Sequence, residues 1–226
     1  MRAFILILIL SLSLPFTLSS GPTHPRLLDS VRALSVVSMR DFTANTVEYR
    51  NICTVSSINA TLHLWLTAAH CVLDSGRSED GTYWEVETKG LLIDGHNVFV
   101  VKADSKVDLA ILFTPEYSLP ALHLSGKAPW WEDPVRVIGH PFGYPDVTIV
   151  AGTVSNPSAS VNQPDFADLY LFITAMIAPG NSGSPVVNQK GEIVSVLQIG
   201  WGRGFSPGGG VTFARLKAFA GTYFEK

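Results

Sequence analysis

Charge, cysteine and long apolar runs are all scarce in this sequence, and each scarcity removes a class of protein. Only 15% of the 226 residues are charged, and the formal net charge is −3 with a pI near 6.0. There is thus no basic field of the kind that draws nucleic acid or an anionic membrane surface. Beyond the N-terminus no stretch is long and apolar enough to span a bilayer. No internal repeat, coiled-coil heptad or low-complexity tract interrupts the chain. What remains is a chain that is 46% hydrophobic, suited to a well-buried globular domain.

The first residues, "MRAFILILILSLSLPFTLSSGP", place Arg2 before an apolar run to about Leu18 and small residues at Ser19, Ser20 and Gly21. That is the layout of a secretory signal peptide, residues 1–20, with cleavage after Ser19 or Ser20. The rival is an uncleaved anchor, but the run falls short of the ~20 residues a span needs, and Pro15 interrupts it. The expectation is an exported chain, extracellular or periplasmic according to its source, with no stable membrane insertion after cleavage. Export bears on the two cysteines, Cys53 and Cys71. An even pair in an oxidising compartment favours a disulfide over two buried thiols, worth ~3 kcal/mol by loop closure. A glycosylation sequon, Asn59-Ala60-Thr61, lies between them.

Residues 21–45 are weakly patterned and read as an N-terminal extension or removable propeptide around a short helical stretch, "LLDSVRALSVVSM". From about residue 46 onward, short runs such as "LHLWLTAA", "HNVFVVKAD", "PVRVIGH", "DLYLFITAM" and "EIVSVLQIG" alternate with separators rich in Gly, Pro, Asn and Asp. Many short strands at this spacing predict an all-β barrel or sandwich. "LSGKAPWWEDP" reads as a linker dividing the strands into halves at about 46–124 and 132–226. The last stretch, "ARLKAFAGTYFEK", reads as a helix weakened by Gly221.

"APGNSGSPVV" puts Ser182 among residues that β structure disfavours, which suggests a bend presenting its hydroxyl. A serine needs a base to become a nucleophile. Of six histidines, His70 in "WLTAAHC" ends a strand beside Cys71, where a tether to Cys53 would fix its imidazole. An orienting acid must then bind the second ring nitrogen. Asp108, heading the apolar "DLAILF", suits that role better than Asp104 among polar neighbours. Taken singly, each of these residues is more often structural.

Together, "LTAAHC", "DLAIL" and "GNSGSP" in that order resemble the trypsin/chymotrypsin-like serine peptidases. His70 and Asp108 are 38 residues apart (108 − 70), and Asp108 and Ser182 are 74 apart (182 − 108). This compact spacing is similar to the HtrA and glutamyl-endopeptidase groups. "VIGHPFGYPDVTIVAGTVS" and "GNSGSPVVNQKGEIVSV" also resemble HtrA segments, whereas "CTVSSI…LTAAHC" resembles the disulfide-bridged pair of the animal enzymes. The resemblance implies two antiparallel six-stranded β-barrels with a cleft between them and a C-terminal helix. It further implies a catalytic triad of His70, Asp108 and Ser182, and an oxyanion hole from the amides of Gly180 and Ser182. Protein or peptide substrates and no cofactor or metal are expected.

Departures from the family pattern carry their own expectations. Asn181 stands where the animal enzymes place the aspartate that captures a new N-terminal amine, and no "IVGG"-like start occurs. Activity is therefore expected without that ion pair. The specificity position six residues before the serine is Met176, and the other pocket walls fall near Gln198, Gly200, Trp201 and Gly210. No acid occurs there and no histidine follows His140, so a small or medium apolar P1 residue is expected. Only 44 residues follow the serine (226 − 182), too few for the PDZ domain of HtrA proteins.

Three other readings fit the sequence less well. An α/β-hydrolase requires G-x-S-x-G with its histidine after the serine, and here none follows. A noncatalytic secreted binding protein on the same scaffold usually lacks a triad member, and all three are present. His63 and His70 lack the neighbouring ligands of a zinc site, and Trp130–Trp131 reads as barrel packing or a hydrophobic loop.

Overall fold

A computed structural model describes residues 24–41, 46–78, 82–160, 169–200 and 206–225. The expected signal peptide and Trp201 lie outside the described residues. The N-terminal half comprises α1 (His24–Asp29), β1 (Val31–Asp41), β2 (Thr46–Asn59), β3 (Leu64–Thr67), β4 (Leu73–Arg77), β5 (Tyr83–Glu87), β6 (Leu91–Ile93), β7 (His96–Asn97), β8 (Phe99–Asp104) and β9 (Leu109–Phe113). The C-terminal half comprises β10 (Pro134–Gly139), β11 (Thr148–Ser160), β12 (Leu169–Ile177), β13 (Pro185–Val187), β14 (Ile193–Gly200), β15 (Ser206–Val211) and α2 (Phe213–Ala220).

The two halves close differently. Strands β10-β11-β12-β15-β14-β13 form a closed antiparallel barrel, as expected for the second half. The first half is instead an open seven-stranded sheet, β7-β6-β1-β2-β3-β9-β8, with β4 and β5 as a separate hairpin. The expected second closed barrel is therefore corrected to a half-barrel. Strand β7 is only His96–Asn97, both exposed, too short to carry a ladder onward to β8.

Three apolar cores explain the strand sequences. One covers a face of the first sheet with Leu34, Val55, Trp65, Ala110 and Leu112. A second fills the closed barrel with Val137, Leu171, Ile173, Val186 and Leu197. The third lies between the halves, where Val31, Ile58, Leu66 and Ile111 meet Ile138, Val196, Leu216 and Phe219. The middle strands of the first sheet are thus buried on both faces and lack polar alternation. In β3, for example, Trp65 points into one core while Leu64 and Leu66 point into another.

The same double burial corrects the N-terminal reading. Only residues His24–Asp29 are helical, and Val31–Asp41 is a strand. The spacing of Leu27, Val31 and Leu34 mimics a helical period, but Val31 packs into the core between the halves and Leu34 into the first-sheet core. Strand β1 pairs with β2 from Val31↔Ser56 to Asp41↔Thr46 and also with β6. The domain boundary expected at residue 46 therefore falls between two paired strands.

Other expectations resolve locally. Helix α2 buries Phe213, Leu216 and Phe219 and ends at Gly221. Trp130 and Trp131 are exposed, at 65% and 48%, on the connection between the halves. The sequon residue Asn59 is buried, its amide donating to the Tyr223 carbonyl and its Oδ1 accepting from Leu62 N–H, which leaves no room for a glycan. His63 bonds the Thr114 carbonyl through Nδ1 and is held structurally.

Candidate active site

The site assembles where the first sheet meets the barrel. After β3 the chain enters a tight turn at Ala69–Cys71 that carries His70, and the disulfide Cys53–Cys71 ties this turn to β2. His70 is about half exposed (46%), whereas the Asp108 side chain is largely shielded (18%). One Asp108 oxygen lies 2.8 Å from His70 Nδ1, and the other accepts the His70 backbone N–H at 2.9 Å. This two-point contact fixes both ring and backbone. A carboxylate accepts only, so Nδ1 carries the proton and Nε2 presents its lone pair on the far side of the ring.

Asp108 sits at a φ of 51°, an uncommon conformation for a residue other than glycine. Gln198 supports it from the barrel, its Nε2 donating at 2.7 Å to the carbonyls of both Val107 and Asp108. Tyr170 belongs to the same neighbourhood. Its phenol is pushed up to about 12, first by burial and then by the Asp108 carboxylate, so it stays protonated at neutral pH.

Ser182 lies on two linked turns. Asn181 N–H donates to the Ala178 carbonyl, Ser184 N–H to the Asn181 carbonyl, and Gly183 N–H to Leu197 on β14. Gly180 and Gly183 adopt φ of 95° and 82°, where side chains are strained. A Cβ on Gly180 would lie 2.4 Å from the His140 carbonyl, and one on Gly183 would lie 2.1 Å from Thr67 Oγ1. Thr54, fully buried on β2, staples this loop to the first sheet. Its N–H donates to the Ser182 carbonyl at 2.8 Å and its hydroxyl to the Gly180 carbonyl at 3.0 Å. Among the described residues the N–H groups of Gly180 and Ser182 have no protein acceptor. An oxyanion hole needs such free donors.

A cleft of about 210 Å³ opens beside Ser182, lined among others by Ile177, Pro179, Gln198, Gly200 and Ser206. Gln198 and Gly200 line the cleft. Met176 does not: strand alternation turns it outward at 45% exposure and turns its buried neighbour Ile177 inward. Gly210 is likewise elsewhere, with no space for a Cβ against the Val196 carbonyl. Ile177 could have been found from the sequence by that alternation. Thr54 and the bonding of Gln198 carry no local signal. Cys53, His70 and Cys71 lie within metal-ligand distance of one another, but both sulfurs are consumed in the disulfide.

His140 lies behind the serine loop, buried, with Nδ1 against the Tyr144 carbonyl at 3.0 Å and Nε2 without a partner. Burial lowers its pKa below the usual 6.5, partly opposed by the Tyr144 bond. Between the folded value and 6.5 the unfolded chain binds more protons, so stability rises with pH through that window. The stabilisation is complete above 6.5 and is lost as pH falls through the folded value. Unfolding midpoints measured from pH 7.5 to 4.5 should fall more steeply for the wild type than for His140→Asn, which has no group to protonate there.

An open antiparallel sheet carrying the Asp108–His70 pair packs against a closed barrel half that carries Ser182, although among the described residues no hydrogen bond joins Ser182 to His70. Residues 53–196 match the trypsin-like peptidase domain, and the chain belongs to that family. It is 35% identical over 101 residues to a probable periplasmic serine endoprotease DegP-like of Hahella chejuensis, covering 43% of this chain and 20% of that protein. It is 31% identical over 137 residues to Protease Do-like 2, chloroplastic, of Arabidopsis thaliana, covering 58% and 21%. The chain thus aligns with about a fifth of the length of these relatives. Among solved structures, the active form of the Rv3671c protease from M. tuberculosis superposes with a TM-score of 0.65 at 19% identity, covering 87% of this chain and 82% of that one. The HtrA-type protease AlgW with a tripeptide gives 0.63 at 21% identity, covering 89% and 62%. These likenesses establish the fold.

Proposed function

We propose that the chain is an exported serine endopeptidase of the trypsin-like, HtrA-related type, acting on proteins or peptides through an acyl-enzyme. Ser182 attacks the carbonyl, His70 takes its proton and returns it to the leaving amine, and Asp108 holds the histidine tautomer. The amides of Gly180 and Ser182 receive the oxyanion. The observation that carries this reading is the two-point Asp108–His70 contact, on a turn packed against the serine loop. The names of the bacterial relatives, periplasmic serine endoproteases, support both activity and export. Asn181 is buried and uncharged, which supports activity without an N-terminal ion pair.

The cleft supports a medium apolar P1 residue. Cβ atoms placed on Gly200 and Gly208 would each lie 3.0 Å from the Ile177 side chain, so that side chain occupies the space between these two glycines. Among the described residues no charged side chain lines the cleft. A fluorophosphonate probe should label the folded protein, and a peptide library should then return valine- or leucine-sized P1 residues. Ile177→Ala should raise kcat/KM for phenylalanine at P1 relative to valine by about 10-fold. No labelling of a folded, disulfide-bonded preparation would overturn the reading.

A further inference from the structure

The turn at residues 140–144 is bonded to the serine loop on one side and to the N-terminal strands on the other. We infer that this connection makes Asn51, supported by Ser35, a positioning residue for the oxyanion hole. The inference rests on the peptidase reading above. Ser35 Oγ on β1 donates to Asn51 Oδ1 on β2 at 2.6 Å. Asn51 Nδ2 donates to the Gly143 carbonyl at 2.9 Å, across 92 residues of sequence. One residue earlier, Phe142 N–H donates to the Pro179 carbonyl at 2.5 Å.

That last bond sets the orientation of a catalytic donor. A trans peptide directs its carbonyl and N–H to opposite sides. With the Pro179 carbonyl held by the turn, Gly180 N–H points away from the turn and stays free to receive an oxyanion. Flipping the Pro179–Gly180 peptide would require breaking the Phe142 bond. The turn needs an external hold because Phe142 sits at a φ of 56°, a conformation that costs a bulky side chain about 1–3 kcal/mol. Asn51 supplies that hold. The contact has no slack either, since a Cβ on Gly143 would lie 2.8 Å from the Asn51 carbonyl. Strand β1 thus reaches the catalytic loop through three hydrogen bonds, Ser35 to Asn51 to Gly143 and Phe142 to Pro179.

The test combines two readouts on Asn51→Ala, Asn51→Asp and Ser35→Ala in the full secreted chain. Asn51→Asp keeps an acceptor for Ser35 but removes the donor to Gly143. In both Asn51 variants, kcat per titrated serine should fall about 10-fold, less than the ~100-fold or more for losing a hole donor outright. KM should stay within about twofold, because ground-state binding is untouched. Ser35→Ala should give a smaller fall of the same kind. Independently, amide exchange at Phe142 should accelerate in the Asn51 variants while exchange in the β14–β15 ladder stays unchanged. Unchanged exchange at Phe142 overturns the inference whatever the activity. Accelerated exchange with unchanged kcat in a working enzyme overturns its catalytic half. A wild type that is neither labelled nor active, yet shows accelerated exchange on substitution, would instead sink the peptidase reading and leave the bonding path standing.

Discussion

Ser182→Ala should lower peptide hydrolysis by about a million-fold and abolish fluorophosphonate labelling, while unfolding free energy changes by no more than about 0.5 kcal/mol. The separation of effects follows from where the residue sits. Its backbone is held by Thr54 through the Ser182 carbonyl, and the turns around it are closed by main-chain bonds that alanine preserves. Only the proposed nucleophile is lost. Asp108→Asn should cost about 10⁴-fold by a different route. Both contacts from Asp108 accept from His70, one from the ring and one from the backbone. An asparagine amide must offer N–H to one of them, which either reverses the imidazole tautomer or breaks the backbone contact. Activity of the two variants on a fluorogenic peptide, with thermal unfolding beside it, checks both. A Ser182→Ala protein that still hydrolyses peptide would refute the assignment of the nucleophile.

Removing residues 21–45 should leave a chain that does not fold. That segment contains β1, which lies between β2 and β6. Val31 and Leu34 are fully buried in two different cores. Losing two such side chains costs about 1.5–3 kcal/mol each, and the loss of the ladder leaves β2 and β6 without the strand that pairs with both. The sum approaches the ~5–15 kcal/mol that stabilises a typical domain. Expression of 21–226 beside 46–226, read by near-ultraviolet circular dichroism and soluble yield, makes the comparison. A cooperative, active 46–226 protein would show that this segment is a dispensable propeptide after all.

These two outcomes bear on opposite ends of what was legible. The proposed site could be nominated from the sequence because chemistry restricts residue choice. A serine bent out of a strand needs small neighbours, and Gly180 and Gly183 occupy positive φ as that bend demands. A tethered histidine and an acid heading an apolar strand could also be found one residue at a time. The N-terminal strand could not, because burial on both faces erases the alternation by which a strand is recognised and leaves a spacing that imitates a helix. Met176 lies outside the described cleft for a related reason: counting back from the serine ignores which face each strand residue presents.

The sequence alone settled the all-β class and pointed to the disulfide pair, and it nominated the serine, histidine and aspartate proposed above, since each depends on residue identity within a few positions along the chain. Only the tertiary structure decided that the first half stays open, that Ile177 lines the cleft, and that Gln198 and Thr54 bind the two halves. The same holds for Asn51, which reaches a turn 92 residues away. Such contacts join groups that every polar residue can supply, so their partners are chosen by the packing of the sheet against the barrel and leave no pattern in the sequence.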